Sequence, residues 1–190
     1  VPPLFLFTAP PPPCSYPPSL PDALPISISY KIPTQTHIVH VHLTVADLDS
    51  ALSFYRGLLG FELMQKYGTQ AAFISAGGYH HHIGLNTWYS KDGKPAPPNA
   101  TGLFHTAILY PTRKDLAAIL QRLMDASYPL TGASDHGVSE ALYVEDPDKN
   151  GVELYWDKPK DQWPLDAEGN LQMITEHLDL QNLLDELKDT

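Results

Sequence analysis

Three side chains in this 190-residue chain have the chemistry of a metal site: His40, His105 and Glu153. Glu153 lies in DPDKNGVELYW, where the turn-forming Asp146, Pro147, Asp148, Asn150 and Gly151 lead into a short strand. On that strand Val152, Leu154 and Trp156 point one way, and Glu153 and Tyr155 the other. A carboxylate among apolar and aromatic residues is costly to bury unless it is paired or bound to a metal. His40 and His105 hold matching places on two strands, 65 residues apart. Two imidazoles and one carboxylate on one face of a metal leave open positions, the pattern of non-haem Fe(II) oxygen chemistry. Singly, each is equally at home on a solvated strand face. The repeat is what singles them out.

The elements that must position them follow from hydrophobic periodicity. HIVHVHLTV (His37 to Val45) alternates, with Val39, Val41, Leu43 and Val45 on one face and Ile38, His40, His42 and Thr44 on the other. Asp47 or Asp49 can cap a helix carrying Leu48, Ala51, Leu52, Tyr55, Leu58 and Leu59, stopped by Gly60. Strands are expected over Phe61–Lys66, Gln70–Ser75 and, after a Gly77-Gly78 turn, His80–Trp88. The order then repeats: a strand over Leu103–Tyr110, an amphipathic helix over Arg113–Ser127, and strands over Ala141–Glu145 and Gly151–Trp156, with GASDHGVSE as a loop. The expected architecture is α+β: two tandem βαβββ modules (36–88 and 103–159) pair into a half-open, U-shaped mixed β-barrel with helices outside. An exposed linker (89–102) joins them, and a tail (160–190) ends in a helix over about Thr175–Lys188.

Composition narrows the function classes. A formal charge of −10 with no Lys/Arg cluster argues against nucleic acid, and no apolar run is long enough to span a bilayer. The single cysteine, Cys14, excludes an internal disulfide and suits a reducing, cytoplasmic setting. Eleven of the 19 prolines lie between Val1 and Pro33, in a nearly uncharged background that includes PPSLPDALPIS. Residues 1–35 therefore read as a disordered or artefactual segment, outside the fold.

HIVHVHLTVADLDSALSFYRGLLGFEL resembles the opening of a vicinal-oxygen-chelate module, the superfamily of glyoxalase I, bleomycin-resistance proteins and extradiol dioxygenases. The resemblance implies that the metal histidine stands seven positions before the helix-capping aspartate, which is His40 before Asp47. It likewise makes His105 and Glu153 the other two metal ligands. In glyoxalase I-like members a Glu or Gln on the last strand of the first module supplies a fourth ligand. GGYHHHIGLNTW offers histidines and Gly84 there instead, and is more similar to the catechol 2,3-dioxygenase kind. In those enzymes a histidine in this stretch acts as acid and base beside the metal. His81 fits best, with His80 and His82 as rivals because one residue of register swaps the face. Tyr143, ten residues before Glu153, and His136, more loosely placed, match residues near the substrate, so that His81, Tyr143 and His136 form the catalytic set.

What the resemblance implies is a non-haem Fe(II) extradiol dioxygenase that cleaves a small aromatic diol with O2, in aromatic catabolism. Mn(II) is an alternative metal, and Tyr155 and Trp88 are candidates for the pocket wall. Two other functions of the same fold stay open: a glyoxalase-like isomerase or transferase using Zn or Ni, and a metal-free binding module of the bleomycin-resistance kind. Dioxygenases of this group carry two module pairs where this sequence has one, so a homo-oligomer or a second module pair is the partner to expect.

Overall fold

The computed structural model describes residues 30–188. Cys14 and most of the proline-rich segment, and with them the expectation of a disordered or artefactual stretch, lie outside the described residues. The chain divides after Ile38. Of the first unit, residues 30–38 are exposed and contain one turn, in which Thr36 N–H donates to the Pro33 carbonyl at 3.0 Å. All that follows concerns the unit that begins at Val39.

Its fold is α+β, built on two mixed sheets. The first sheet holds β1 (Val41–Thr44), β2 (Glu62–Tyr67), β3 (Ala71–Ser75) and β4 (Ile83–Asn86) in the order β1-β4-β3-β2. The second holds β5 (His105–Leu109), β6 (Gly132–Asp135), β7 (Ser139–Glu145), β8 (Gly151–Asp157) and β9 (Glu176–His177) in the order β5-β8-β7-β6-β9. In each, the first strand runs parallel to the last of its βαβββ set and the other pairs are antiparallel. Neither sheet closes on itself, as a half-open barrel requires.

Local chemistry accounts for the helices. The Asp47 carboxylate accepts from Ser50 N–H at 2.7 Å and caps α1 (Leu48–Leu52), which continues as a π-helical turn over Ser53–Leu58. Thr112 caps α2 (Arg113–Asp125), which buries Leu116, Ile119, Leu120 and Leu123. These side chains join Leu43, Val45, Phe54, Ile74 and Leu85 from the first half and Leu142, Val144, Val152 and Leu154 from the second in one apolar core. Each such side chain taken from water stabilises the fold by about 1.5–3 kcal/mol.

Three expectations need correction. GASDHGVSE is not a loop: Gly132–Asp135 is β6, paired with β7 on one side and β9 on the other. It has no hydrophobic alternation to betray it, and neighbours on both edges supply the backbone partners that make it a strand. The tail helix starts later than Thr175, because Glu176–His177 is β9 and α3 covers only Leu180–Asp185, capped by Asp179. Leu178 and Leu183 reach the core, so this tail packs on the sheet pair it follows. Two strands of the first sheet are also shorter than expected: β1 begins at Val41 and β4 at Ile83.

One turn, beside the shared core and the Arg122 bonds to the Gly57 and Leu58 carbonyls, fastens the halves. Asp146, 2% exposed, accepts from Asp148 N–H, Asn150 N–H and Asn150 Nδ2, each at 2.9 Å, and from Tyr55 Oη at 3.0 Å. Asp148 Oδ1 accepts from Ala46 N–H at 3.0 Å, across the same junction. Asp146→Ala would leave these buried donors without a partner. The expected cost is about 2–4 kcal/mol of unfolding free energy, seen as a lower urea midpoint at unchanged slope.

Candidate functional site

Register decides which side chains share a face. In the second sheet Ala107 of β5, Glu153 of β8, Tyr143 of β7 and Gly132 of β6 form one row. His105, two residues before Ala107, shares its face because strand side chains alternate. Its Nε2 lies 3.0 Å from Glu153 Oε2, with the two side chains 31% and 13% exposed. Tyr143 Oη is 3.0 Å from Glu153 Oε1 and 2.7 Å from His136 Nε2. A phenol has a single hydrogen, so Tyr143 can donate to only one of them at a time. Burial first, and then the charge and hydrogen bond of Glu153, push the Tyr143 hydroxyl up to about 12. The His105 Nδ1 atom is buried without a hydrogen-bond partner. A cavity of about 370 Å3 opens beside this group, lined in part by Phe104, His105, Gly132, Tyr143 and Val152.

The matching row of the first sheet is His42, Gly84 and Phe73. The glycine at the middle place leaves room for the His42 ring: a Cβ on residue 84 would stand 2.8 Å from it, so the ring would have to shift. His42 lies over that gap, 5.9 Å from Phe73 and 5.6 Å from Trp88 between ring centres. His40 stands just before β1, exposed, with its ring 4.6 Å from that of His81. His81 in turn meets Phe73 at 5.1 Å. The rivals sit elsewhere. His82 Nδ1 accepts from Ala76 N–H at 3.3 Å and lies 3.0 Å from Ser75 Oγ, which ties it to the hairpin. His80 stacks on Tyr79 at 4.0 Å and touches His81 through their Nδ1 atoms at 2.8 Å. Burial, and then the neighbouring His40, hold both His42 and His81 below the ordinary imidazole range.

The structure thus brings together His105, Glu153, Tyr143 and His136 in the second half, and His40 and His81 in the first. His40 does not join the His105–Glu153 pair: among the described residues no group of three or more His, Cys, Asp or Glu side chains is arranged to hold a metal ion. The pair itself suits a divalent cation. A carboxylate and an imidazole nitrogen face one another on an accessible sheet surface, both of donor types that iron, manganese and zinc accept. Trp88 walls His42, and Tyr155 shares the Glu153 face. Sequence reasoning missed Phe73 and the backbone contact that Ile174 makes with His136. An isolated Phe on a strand carries no signal, and a contact spanning 38 positions carries none either.

Residues 37–154 match the family model described as the Glyoxalase/Bleomycin resistance protein/Dioxygenase superfamily. The chain is 41% identical over 154 residues to the catechol-2,3-dioxygenase of Bacillus subtilis (strain 168), a match covering 81% of this chain and 53% of that protein. It is 30% identical over 123 residues to biphenyl-2,3-diol 1,2-dioxygenase 3 of Rhodococcus globerulus, covering 63% of each. The chain therefore spans less than two-thirds of the length of these relatives. Among solved structures, a glyoxalase/dioxygenase from Nostoc punctiforme superposes with a TM-score of 0.55 at 16% identity, over 74% of this chain and 100% of that one. That likeness concerns the fold.

The Tyr143 surroundings have a measurable consequence. Its hydroxyl releases a proton later in the folded chain than in the unfolded one, so folding stability from this group is intact below the unfolded value of about 10. It is lost as pH rises toward about 12. In an NMR titration the Tyr143 ring is expected to remain a phenol at pH about 10, where an unfolded tyrosine is half ionised. Glu153→Gln should bring that titration down, because it removes the neighbouring charge.

Proposed function

This chain belongs to the glyoxalase/bleomycin resistance protein/dioxygenase superfamily, and on that premise we propose that it is a non-haem Fe(II) extradiol dioxygenase acting on a catechol-type diol with O2. The observation that carries the proposal is the His105–Glu153 pair backed by Tyr143 and His136. The named relatives support it, being dioxygenases of ortho-diols by their own names.

His105 and Glu153 would hold the iron; His40, which the resemblance offers as the third donor, stands against His81 and apart from that pair in this structure. When bound, the metal supplies a Lewis acid that makes a vicinal hydroxyl of the substrate more acidic and gives O2 a redox-active centre. The chain's residues handle position and protons. His81, held below the ordinary imidazole range, is neutral near pH 7 and so free to accept a substrate proton and later return it. Tyr143, pushed up to about 12, keeps its proton and serves as a hydrogen-bond donor rather than an anion. Phe73, edge-on to His81, and Trp88, tilted against His42, supply aromatic rings beside these histidines with which a diol ring can pack.

The glyoxalase-like reading is disfavoured by one feature. Its fourth ligand is a Glu or Gln on the last strand of the first module, and the place there that pairs with His42 and Phe73 is Gly84, which has no side chain to offer.

Iron-loaded protein prepared without air, then mixed with catechol and oxygen, is expected to turn yellow as the ring-opened semialdehyde forms. Mixtures that stay colourless across several catechols would refute the proposal. His81→Ala should lower kcat by about 100-fold or more. Fe(II) should raise the melting temperature of the native chain, and His105→Ala should abolish that rise. Zn or Ni, rather than iron, in protein purified without added metal would favour an isomerase, and no metal at all a binding module.

A further inference from the structure

The segment after β8 returns across the site and meets His136. Ile174 N–H donates to the His136 carbonyl at 3.2 Å, and the Ile174 carbonyl lies 3.1 Å from His136 Nδ1. Thr175 Oγ1 stands 3.3 Å from the same nitrogen. One residue on, β9 pairs with β6 through Asp135↔Glu176 and Ser134↔His177. Gly137 is what lets this strap lie so close. Its φ is +76°, and a Cβ there would stand 2.8 Å from Pro164 and 3.1 Å from Ile174.

A carbonyl oxygen only accepts, so the shorter Ile174 contact is a hydrogen bond when His136 carries its hydrogen on Nδ1, whereas the Thr175 hydroxyl can accept from or donate to that nitrogen. In the neutral Nδ1–H ring, Nε2 holds a lone pair, and that lone pair faces Tyr143 Oη at 2.7 Å. The phenolic hydrogen then has two acceptors in reach, His136 Nε2 and, 3.0 Å distant on the other side, Glu153 Oε1. The opposite tautomer would leave only the second. With the hydrogen on Nε2, the ring would donate to Tyr143, and the phenol would donate to Glu153, occupying a carboxylate lone pair.

We propose that the strap carbonyl of Ile174 is a positioning group for the site: it fixes His136 as the Nδ1–H tautomer, so that Tyr143 can give its hydrogen to His136 and leave Glu153 a full acceptor for a cation. The inference builds on the proposed metal role of Glu153 but concerns the tautomer of a residue outside the ligand set. A side chain that holds a second residue in one tautomer is a recurrent device around metal sites. Here the device is backbone, contributed by a segment 38 residues downstream of the histidine.

The test reads the tautomer directly. The full chain, labelled with 15N in histidine and free of metal and substrate, is examined by long-range 1H–15N NMR at pH about 8, above the ordinary imidazole range. His136→Asn identifies the resonances. His136 is expected as the Nδ1–H form. A ring mainly in the Nε2–H form, an even mixture, or a ring carrying both hydrogens overturns the proposal. Gly137→Ala, which forces the strap away, should shift the tautomer ratio toward Nε2–H by about tenfold, the worth of one net hydrogen bond. An unchanged ratio in a folded Gly137→Ala chain also overturns it. If that variant does not fold, Thr175→Val serves: it keeps the carbonyl and should keep the Nδ1–H form, whereas loss of that form would assign the effect to the threonine and refute the role of Ile174. None of these readings requires turnover. A chain that never cleaves a catechol can still pass, and an active dioxygenase can still fail.

Discussion

The turn from Asp146 to Gly151 is the constraint on which the rest depends. A carboxylate that is almost wholly buried is tolerable only because every lone pair in reach has a donor: two amides and a side-chain amide of its own turn, and a hydroxyl from the opposite half. The same turn starts β8, so the hydrogen bonds that fasten the halves also set the register that presents Glu153 to His105 and Tyr143. Position and chemistry share one local motif. Asp148, drawn to Ala46 N–H, extends the fastening to the loop that follows β1. Burial, first among its influences, lifts its carboxyl above the usual range even so.

The two halves repeat in scaffold and differ in content. Row for row, the first offers His42, Gly84 and Phe73 where the second offers Ala107, Glu153 and Tyr143. The acid and the phenol are on one side, and the rings and a neutral imidazole on the other. The duplicated unit of the family thus carries donors that suit a cation in one half and aromatic rings with imidazoles in the other.

Much of this was legible in the chain itself. The alternation of HIVHVHLTV and the cap at Asp47 placed β1 and α1, and the spacing of Leu116, Leu120 and Leu123 placed α2, because periodicity is written into residues that face a core. The Glu153 face followed from the same rule, and Val152 and Leu154 are indeed buried. Legibility failed where partners rather than propensity decide. Gly-Ala-Ser-Asp becomes β6 only because β7 and β9 flank it, and Glu176–His177 leaves the tail helix for the same reason. Nor could spacing show that His40 lies against His81. Side-chain direction at the mouth of a strand depends on the local stacking partner, which no local pattern encodes.

The contact between His42 and Gly84 couples two positions. An acidic side chain introduced at residue 84 would meet the exposed His42 ring at its first carbon, and that ring, now against Phe73 and Trp88, would have to move aside. What residue 84 can become therefore depends on where residue 42 stands, and a step toward the symmetry of the other half has to be taken at both.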